Sequence, residues 1–292
     1  MIQQTGRPIV IHKDKPKLYK KEKRVFIAVS AIFFVYAFTL VYPFFYALNN
    51  SFKTNWDFIE NIWNFPKNPT FRNYIYAFTQ YNIPAMFVNT MILTAGGTIV
   101  SLVSSSVMAY VLSKYKFRGS SFIYTLAIVF MLIPNLGNVS ATYKLLIDFK
   151  LIGNIFGVLI LYAGPFGMNF LLLYSFFKGI SWNYAEAAKI DGAGNFRVFF
   201  RIMLPQARAG LMTVGFMTAI GHWNDYFTPY MYLPDTQTLA TGLQKLATSA
   251  TLRGEYTEMF AAMIIVTLPI IIVFAFAQET IINNTIAGGL KG

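Results

Sequence analysis

No charged residue occurs between Val25 and Phe52, and Val25–Leu48 is apolar almost throughout. A helix that crosses a bilayer needs about 20 such residues, so this stretch predicts a first span. The apolar core of a cleaved signal peptide is shorter, about 7–15 residues, with a small-residue cleavage site after it. No such site follows, so an uncleaved helix is expected. Five more apolar stretches recur along the chain: Met86–Leu112, Ser121–Asn135, Asn154–Phe177, Ala207–Tyr232 and Met259–Ile281. The second holds Ala95, Gly96, Gly97, Ser104, Ser105, Ser106 and Ala109, small residues that let membrane helices approach closely. The fourth is interrupted by Gly164, Pro165 and Gly167, the fifth contains Asp225, and the sixth contains Pro269. Such breakers are tolerated in spans because neighbouring groups re-satisfy the freed backbone. The expected fold is an all-α membrane protein with six transmembrane helices in residues 25–281. A polar, basic tail (1–24) precedes them and a short tail (282–292) follows. No internal repeat or low-complexity tract is apparent.

Composition agrees with that pattern. The chain is 55% hydrophobic and only 12% charged, against about 25% charged in soluble domains. So few charges could not cover a soluble enzyme, and so many apolar residues exclude a disordered chain. The net charge of +12 would hint at nucleic acid in a soluble domain, but no recognition module accompanies it. In a membrane protein it sets orientation, because Lys and Arg gather in cytoplasmic connections. The two tails and the connections after the second and fourth spans hold 17 Lys and Arg, the opposite side 7. Both termini are therefore expected in the cytoplasm. Segments 49–83 and 233–256 are then external and segment 178–205 cytoplasmic. Trp56, Trp63 and several Phe and Tyr residues in 49–83 suit a membrane surface.

Motifs for catalysis are missing. There is no G-x-x-x-x-G-K-[ST] phosphate loop and no H-E-x-x-H. The chain has no cysteine, so no disulfide, thiolate metal site or thiol chemistry. His222 and Asp225 share a helix face at i, i+3, but a triad is recognised by converging geometry rather than by spacing. A polar patch at a helix interface accounts for them. No catalytic residue, metal or chain-bound cofactor is expected. An ionisable group in or near a span is by default functional, so Asp225 and its neighbour Asn224 are candidates for lining a path, for gating, or for contact with a partner chain. An interfacial aspartate facing water is the competing reading.

The connection after the fourth span is more informative. Asn183 and Glu186 have nearly the spacing of a capping box, which predicts a short helix ended by Gly192. A second short helix is expected over Asn195–Leu204, with Arg197 and Arg201 at i, i+4, and Pro205 marks entry to the fifth span. The string Glu186-Ala187-Ala188, three residues, Gly192, nine residues, Ile202, one residue, Leu204-Pro205 resembles the EAA signature of binding-protein-dependent ABC importers. Three further segments are similar to the carbohydrate-uptake branch and its maltose-type G subunits. They are Pro66-x-x-Pro69-Thr70-Phe71-x-Asn73-Tyr74, Trp223-Asn224-Asp225, and the ending Thr285-Ile286-Ala287-Gly288-Gly289-Leu290-Lys291-Gly292. Asp225 stands where that family more often carries Glu.

The resemblance implies a permease subunit that forms half of a path for a sugar or oligosaccharide, in a bacterial cytoplasmic membrane. It implies an extracellular solute-binding protein, a second F-type permease and two cytoplasmic ATPases, which would carry the ATP and Mg. A homodimer is left open by the sequence. Glu186, Ala187, Ala188, Gly192, Ile202, Leu204 and Pro205 would form a coupling element docked on an ATPase. Helix capping is the rival role for Glu186. Gly288, Gly289, Lys291 and Gly292 would form a flexible tail at the ATPase interface, and 233–256 a loop that probes the binding protein. The same class with an anionic solute is the nearest alternative, followed at a distance by an ion-coupled carrier. The near absence of Lys and Arg from the spans favours a neutral solute.

Overall fold

The computed structural model describes residues 20–133 and 135–289, and among these every regular element is a helix. In chain order they are α1 (Lys20–Ser51), α2 (Asn55–Glu60), α3 (Arg72–Gln80), α4 (Ile83–Lys114), α5 (Ser120–Leu132), α6 (Val139–Asp148), α7 (Ile155–Tyr162), α8 (Met168–Gly179), α9 (Asn183–Ile190) and α10 (Asn195–Val198). A π-helical turn (Phe199–Met203) leads into α11 (Leu204–Gln206), followed by α12 (Arg208–Asn224), α13 (Phe227–Tyr232), α14 (Leu239–Arg253) and α15 (Tyr256–Gly289). The chain forms two units, residues 1–46 and 47–292. The first holds most of α1, whose apolar side chains from Val25 to Phe45 are exposed.

Among the described residues, three helices are long and apolar enough to cross a membrane: Lys23–Ser51, Ile83–Lys114 and Tyr256–Val273. The other three expected spans are built from shorter pieces. α5 has 13 residues, which at 1.5 Å each is about 20 Å of a core about 30 Å thick. The fourth stretch is two helices, α7 and α8. Pro165 between them has no N–H to continue the ladder, and Gly167 takes φ +133, a region side chains disfavour. The fifth stretch stops at Asp225, whose backbone is extended (φ −69, ψ 107), and resumes as α13. The C-terminal segment expected as a loose tail continues α15 through Gly288 and Gly289. Lys291 and Gly292 lie outside the described residues.

α4 is the centre of the second unit. It contributes Tyr110 and Ala109 to one core cluster with Phe170, Phe177, Phe199 and Met203. It contributes Ile83 and Met86 to a second with Leu239, Leu246 and Ala262, and Leu93 to a third with Leu146, Val158 and Tyr232. Burying Gly97, Ser101, Ser105, Ser106 and Ala109 on one helix is what allows neighbours to close in around it. At Gly97 a Cβ would come within 2.5 Å of the Tyr162 ring, so that position has no room for a side chain.

The Pro66–Tyr74 motif makes a structural knot. Asn73, 6% exposed, donates from Nδ2 to the carbonyls of Ser51 and Lys53, both at 2.7 Å. Tyr74 Oη and Ser51 Oγ lie 2.7 Å apart. Asp57 Oδ2 accepts from the Lys67 amide at 3.0 Å, and Thr70 N–H donates to Phe52 O at 2.8 Å. Lys53 is fully buried and its ammonium donates to Asn61 O at 2.9 Å. The motif therefore ties the α1–α2 connection to the start of α3, satisfying carbonyls that burial would otherwise orphan.

Candidate functional site

α9, the turn after it and α10 bring Glu186, Ala187, Ala188, Gly192, Ile202, Leu204 and Pro205 into one element. α9 starts one residue before the spacing predicts, and without a capping box. Trp182 is already helical (φ −70, ψ −21) and serves as N-cap with no side-chain bond, so Asn183 falls inside the first turn. Ser181 Oγ accepts from the Asn183 amide instead, at 3.3 Å. Glu186 is exposed and has no capping partner among the described residues, which removes the rival role set against docking. The helix ends in a Schellman turn. Ala193 N–H reaches back to Ala188 O (2.9 Å), Gly192 N–H to Lys189 O (3.0 Å), and Gly192 adopts φ +80.

The two alanines have different fates. Ala188 is 7% exposed and lies with Ala185 in the first core cluster, whereas Ala187 is exposed beside Glu186. Ala188 therefore supports the element from within rather than offering a free surface. Ile202 and Leu204 also rest against that core, half-buried, and Pro205 is exposed. The expected second helix is present, running without a break over Asn195–Gln206 with a π-helical turn in its middle. Leu204 N–H donates to Phe199 O five residues back, widening the helix by one residue just before Pro205, which cannot donate at all.

The outward face carries residues that motif spacing did not single out. Tyr184 is 55% exposed, Ile190 86%, Phe196 83% and Phe200 55%. An apolar and aromatic set of this kind, around an acidic residue, marks an interaction surface. The mounting is aromatic too. Lys189 Nζ lies over the Trp182 ring (5.1 Å) and the Tyr115 ring (5.6 Å), which meet edge to face at 5.5 Å. Lys114, at the end of α4, donates to the carbonyls of Lys178 and Ile180, where a cation suits the C-terminus of α8. The element is thus pinned to the ends of α4 and α8.

Trp223, Asn224 and Asp225 separate in space. Trp223 meets Phe87 of α4 edge to face at 5.9 Å. Asn224 bonds back to its own helix at Ile220 O (2.9 Å) and is exposed. Asp225 is half-buried, accepting from Tyr162 Oη at 2.7 Å and from the Thr228 amide at 3.0 Å. It therefore joins the end of α7 to the α12–α13 break. Tyr162 stacks on His222 with ring centroids 3.9 Å apart, above Gly97. His222 Nε2 is buried with no hydrogen-bond partner among the described residues. Tyr162 is the partner that sequence reasoning missed. It lies 63 positions away, and nothing in local spacing links the two. No grouping of acidic or histidine side chains suited to a metal occurs among the described residues.

Comparison with known proteins places this geometry. Over 274 residues the chain is 30% identical to the diacetylchitobiose uptake system permease protein NgcG of Streptomyces coelicolor, covering 92% of this chain and 90% of that one. It is 27% identical to the arabinooligosaccharides transport system permease protein AraQ of Bacillus subtilis, covering 91% and 96%. A crystal structure of a bacterial ABC transporter involved in import of the acidic polysaccharide alginate contains a chain that matches with a TM-score of 0.76 and 25% identity, over 90% of this chain and 98% of that one. These relatives are permease subunits and not themselves enzymes. Residues 101–285, which include the whole α9–α12 element and Asp225, match the binding-protein-dependent transport system inner membrane component family, and the chain belongs to that family.

Proposed function

We propose that this chain is one half of the translocation path of an ATP-driven importer for a sugar or oligosaccharide. The observation that carries the reading is the α9–Gly192–α10 element. Its outer face, aromatic and of mixed charge, is exposed, its inner face packs into the core shared with α4 and α8, and it bears the EAA pattern. An ATPase closing against Glu186, Ala187 and the exposed aromatic residues would rock the helices to which Lys114, Tyr115 and Trp182 tie it. Three long helices and the paired fragments α5, α7–α8 and α12–α13 make six crossings, with both termini and the coupling element in the cytoplasm. The second permease is a related F-type chain, and a binding protein delivers solute on the far side. α15 brings its C-terminal end, with Gly288 and Gly289, toward the ATPase, and Lys291 and Gly292 complete that contact. Asp225 holds the path-side break of α12 through Tyr162.

The names of the relatives, chitobiose and arabino-oligosaccharide permeases, support a saccharide as solute. The alginate importer supports an acidic polysaccharide as the second reading. The test is a gentle purification of the tagged chain with mass spectrometry of what accompanies it. A stoichiometric ATPase and a second permease are expected. A lone chain or homodimer with no ATPase, even after crosslinking, overturns the reading.

A further inference from the structure

A cavity of about 470 Å³ lies between the α3–α4 corner and α14, and neither the coupling element nor Asp225 is among its lining residues. Its size is that of a small-molecule site, for which about 300–1,000 Å³ is usual. The wall is fixed in advance. Asn89 Nδ2 on α4 donates to Gln237 O at 2.9 Å, and the Leu239 amide donates to Thr90 Oγ1 at 2.8 Å. Thr238 and Thr241 close a reciprocal capping box at the start of α14. Gly242 sits so tightly on Met86 that a Cβ would fall 2.2 Å from its sulfur. The corner itself turns at Asn82, a non-glycine residue at φ 51, a conformation kept where the surroundings dictate it.

The lining is polar and nearly neutral. Tyr81, Asn82, Asn89, Asp235, Gln237 and Lys245 face the cavity, over a floor that includes Met86 and Leu246. Primary amides both donate and accept, so four of them, Gln80 included, beside one carboxylate and one ammonium suit a ligand dense in hydroxyls. Tyr81 adds a ring face, and its hydroxyl lies 3.5 Å from Glu258. Burial, then the Glu258 carboxylate, push that phenol up to about 12, so it stays a donor. Asp235 and Lys245 offset each other, and behind Tyr81 the carboxylates of Glu255 and Glu258 are offset by Arg72 and Arg253, so the lining offers no net positive charge to an anionic ligand. A tyrosine face with amides around it accepts the apolar side of a sugar ring while pairing its hydroxyls.

We propose that this cavity binds about one or two rings of a neutral saccharide, as an entry subsite on the outer side of the permease. The proposal rests on the sugar-importer reading and adds a site to it. The test is saturation-transfer NMR on the full chain in nanodiscs. The probes are maltotriose, N,N′-diacetylchitobiose and, as the anionic comparison, trigalacturonate. Transfer to a neutral probe is expected. Ser249→Trp, which fills the cavity from α14, is expected to abolish it. Asp235→Ala, at an exposed position, weakens it about fivefold, roughly 1 kcal/mol. Phe196→Ala on the distant coupling element leaves it unchanged, and thermal midpoints of all three variants confirm folding. No transfer to either neutral probe, transfer unaltered in both cavity variants, or transfer to trigalacturonate alone overturns the proposal. So does a cavity that is filled by a binding-protein side chain, with no saccharide signal. An ATPase that co-purifies without saccharide transfer overturns the cavity and leaves the importer reading. Saccharide transfer without any ATPase partner does the reverse.

Discussion

Asn73 shows how a motif residue can serve the fold rather than the solute. One amide nitrogen satisfies two backbone carbonyls at 2.7 Å in a site closed to water. Asn73→Ala leaves both orphaned, and each buried acceptor without a partner costs about 1–3 kcal/mol. The expected result is a thermal midpoint in detergent lowered by several degrees, and an unchanged midpoint would refute the knot. Asp225 is different, because its carboxylate has two donors on separate elements. In a double-mutant cycle, Tyr162→Phe and Asp225→Ala should couple by about 1 kcal/mol, the scale of polar pairs in membrane proteins. Additive effects would mean that the bond does no work. The sequence marked Asp225 by its charge in an apolar stretch, but its contacts needed Tyr162 and the chain break beside it.

At the scale of elements, the helix–turn–helix at 183–206 was legible from short-range signals. Ala-rich spacing, Gly192 and Pro205 place its start, turn and end to within a residue or two. Local signals could not show that Ala188 turns inward and Ala187 outward, since that depends on what α4 and α8 present. Gly192→Ala must hold an L side chain at φ +80, at a cost of about 1–2 kcal/mol. Nothing lies within 4 Å of the position of its Cβ, so strain and not collision would set the effect. Solute-stimulated ATP hydrolysis by the assembled complex should fall while membrane insertion persists. Glu186→Lys reverses the charge at that one exposed position and should uncouple uptake from hydrolysis in the same inserted state, and normal ATP-driven uptake by that variant would sink the docking role. The capping box fails for a comparable reason. Packing of Trp182 against Tyr115 starts the helix a residue early, and the pattern Asn183–Glu186 is left without its geometry.

For the whole molecule, orientation is the leading prediction. The chain has no cysteine, so single cysteines report cleanly. Thr248→Cys on α14 should react with an impermeant maleimide in intact cells, and Tyr184→Cys on α9 only after permeabilisation. The opposite pattern would invert the topology and the functional reading with it. Helical class, membrane residence, the rough positions of the three long apolar helices and the Glu186–Pro205 motif follow from composition and from patterns a few residues long. Those features depend on interactions of each segment with bilayer, water or its immediate neighbours, which the chain carries locally. The splitting of the fourth stretch was visible only as Pro and Gly, and that of the fifth only as the charge of Asp225. The Tyr162–Asp225 bond, the inward turn of Ala188, the exposure of Phe196 and the cavity under α14 were not visible at all. Each joins residues tens to more than a hundred positions apart, and their encounter is set by how closely α4 lets its neighbours approach.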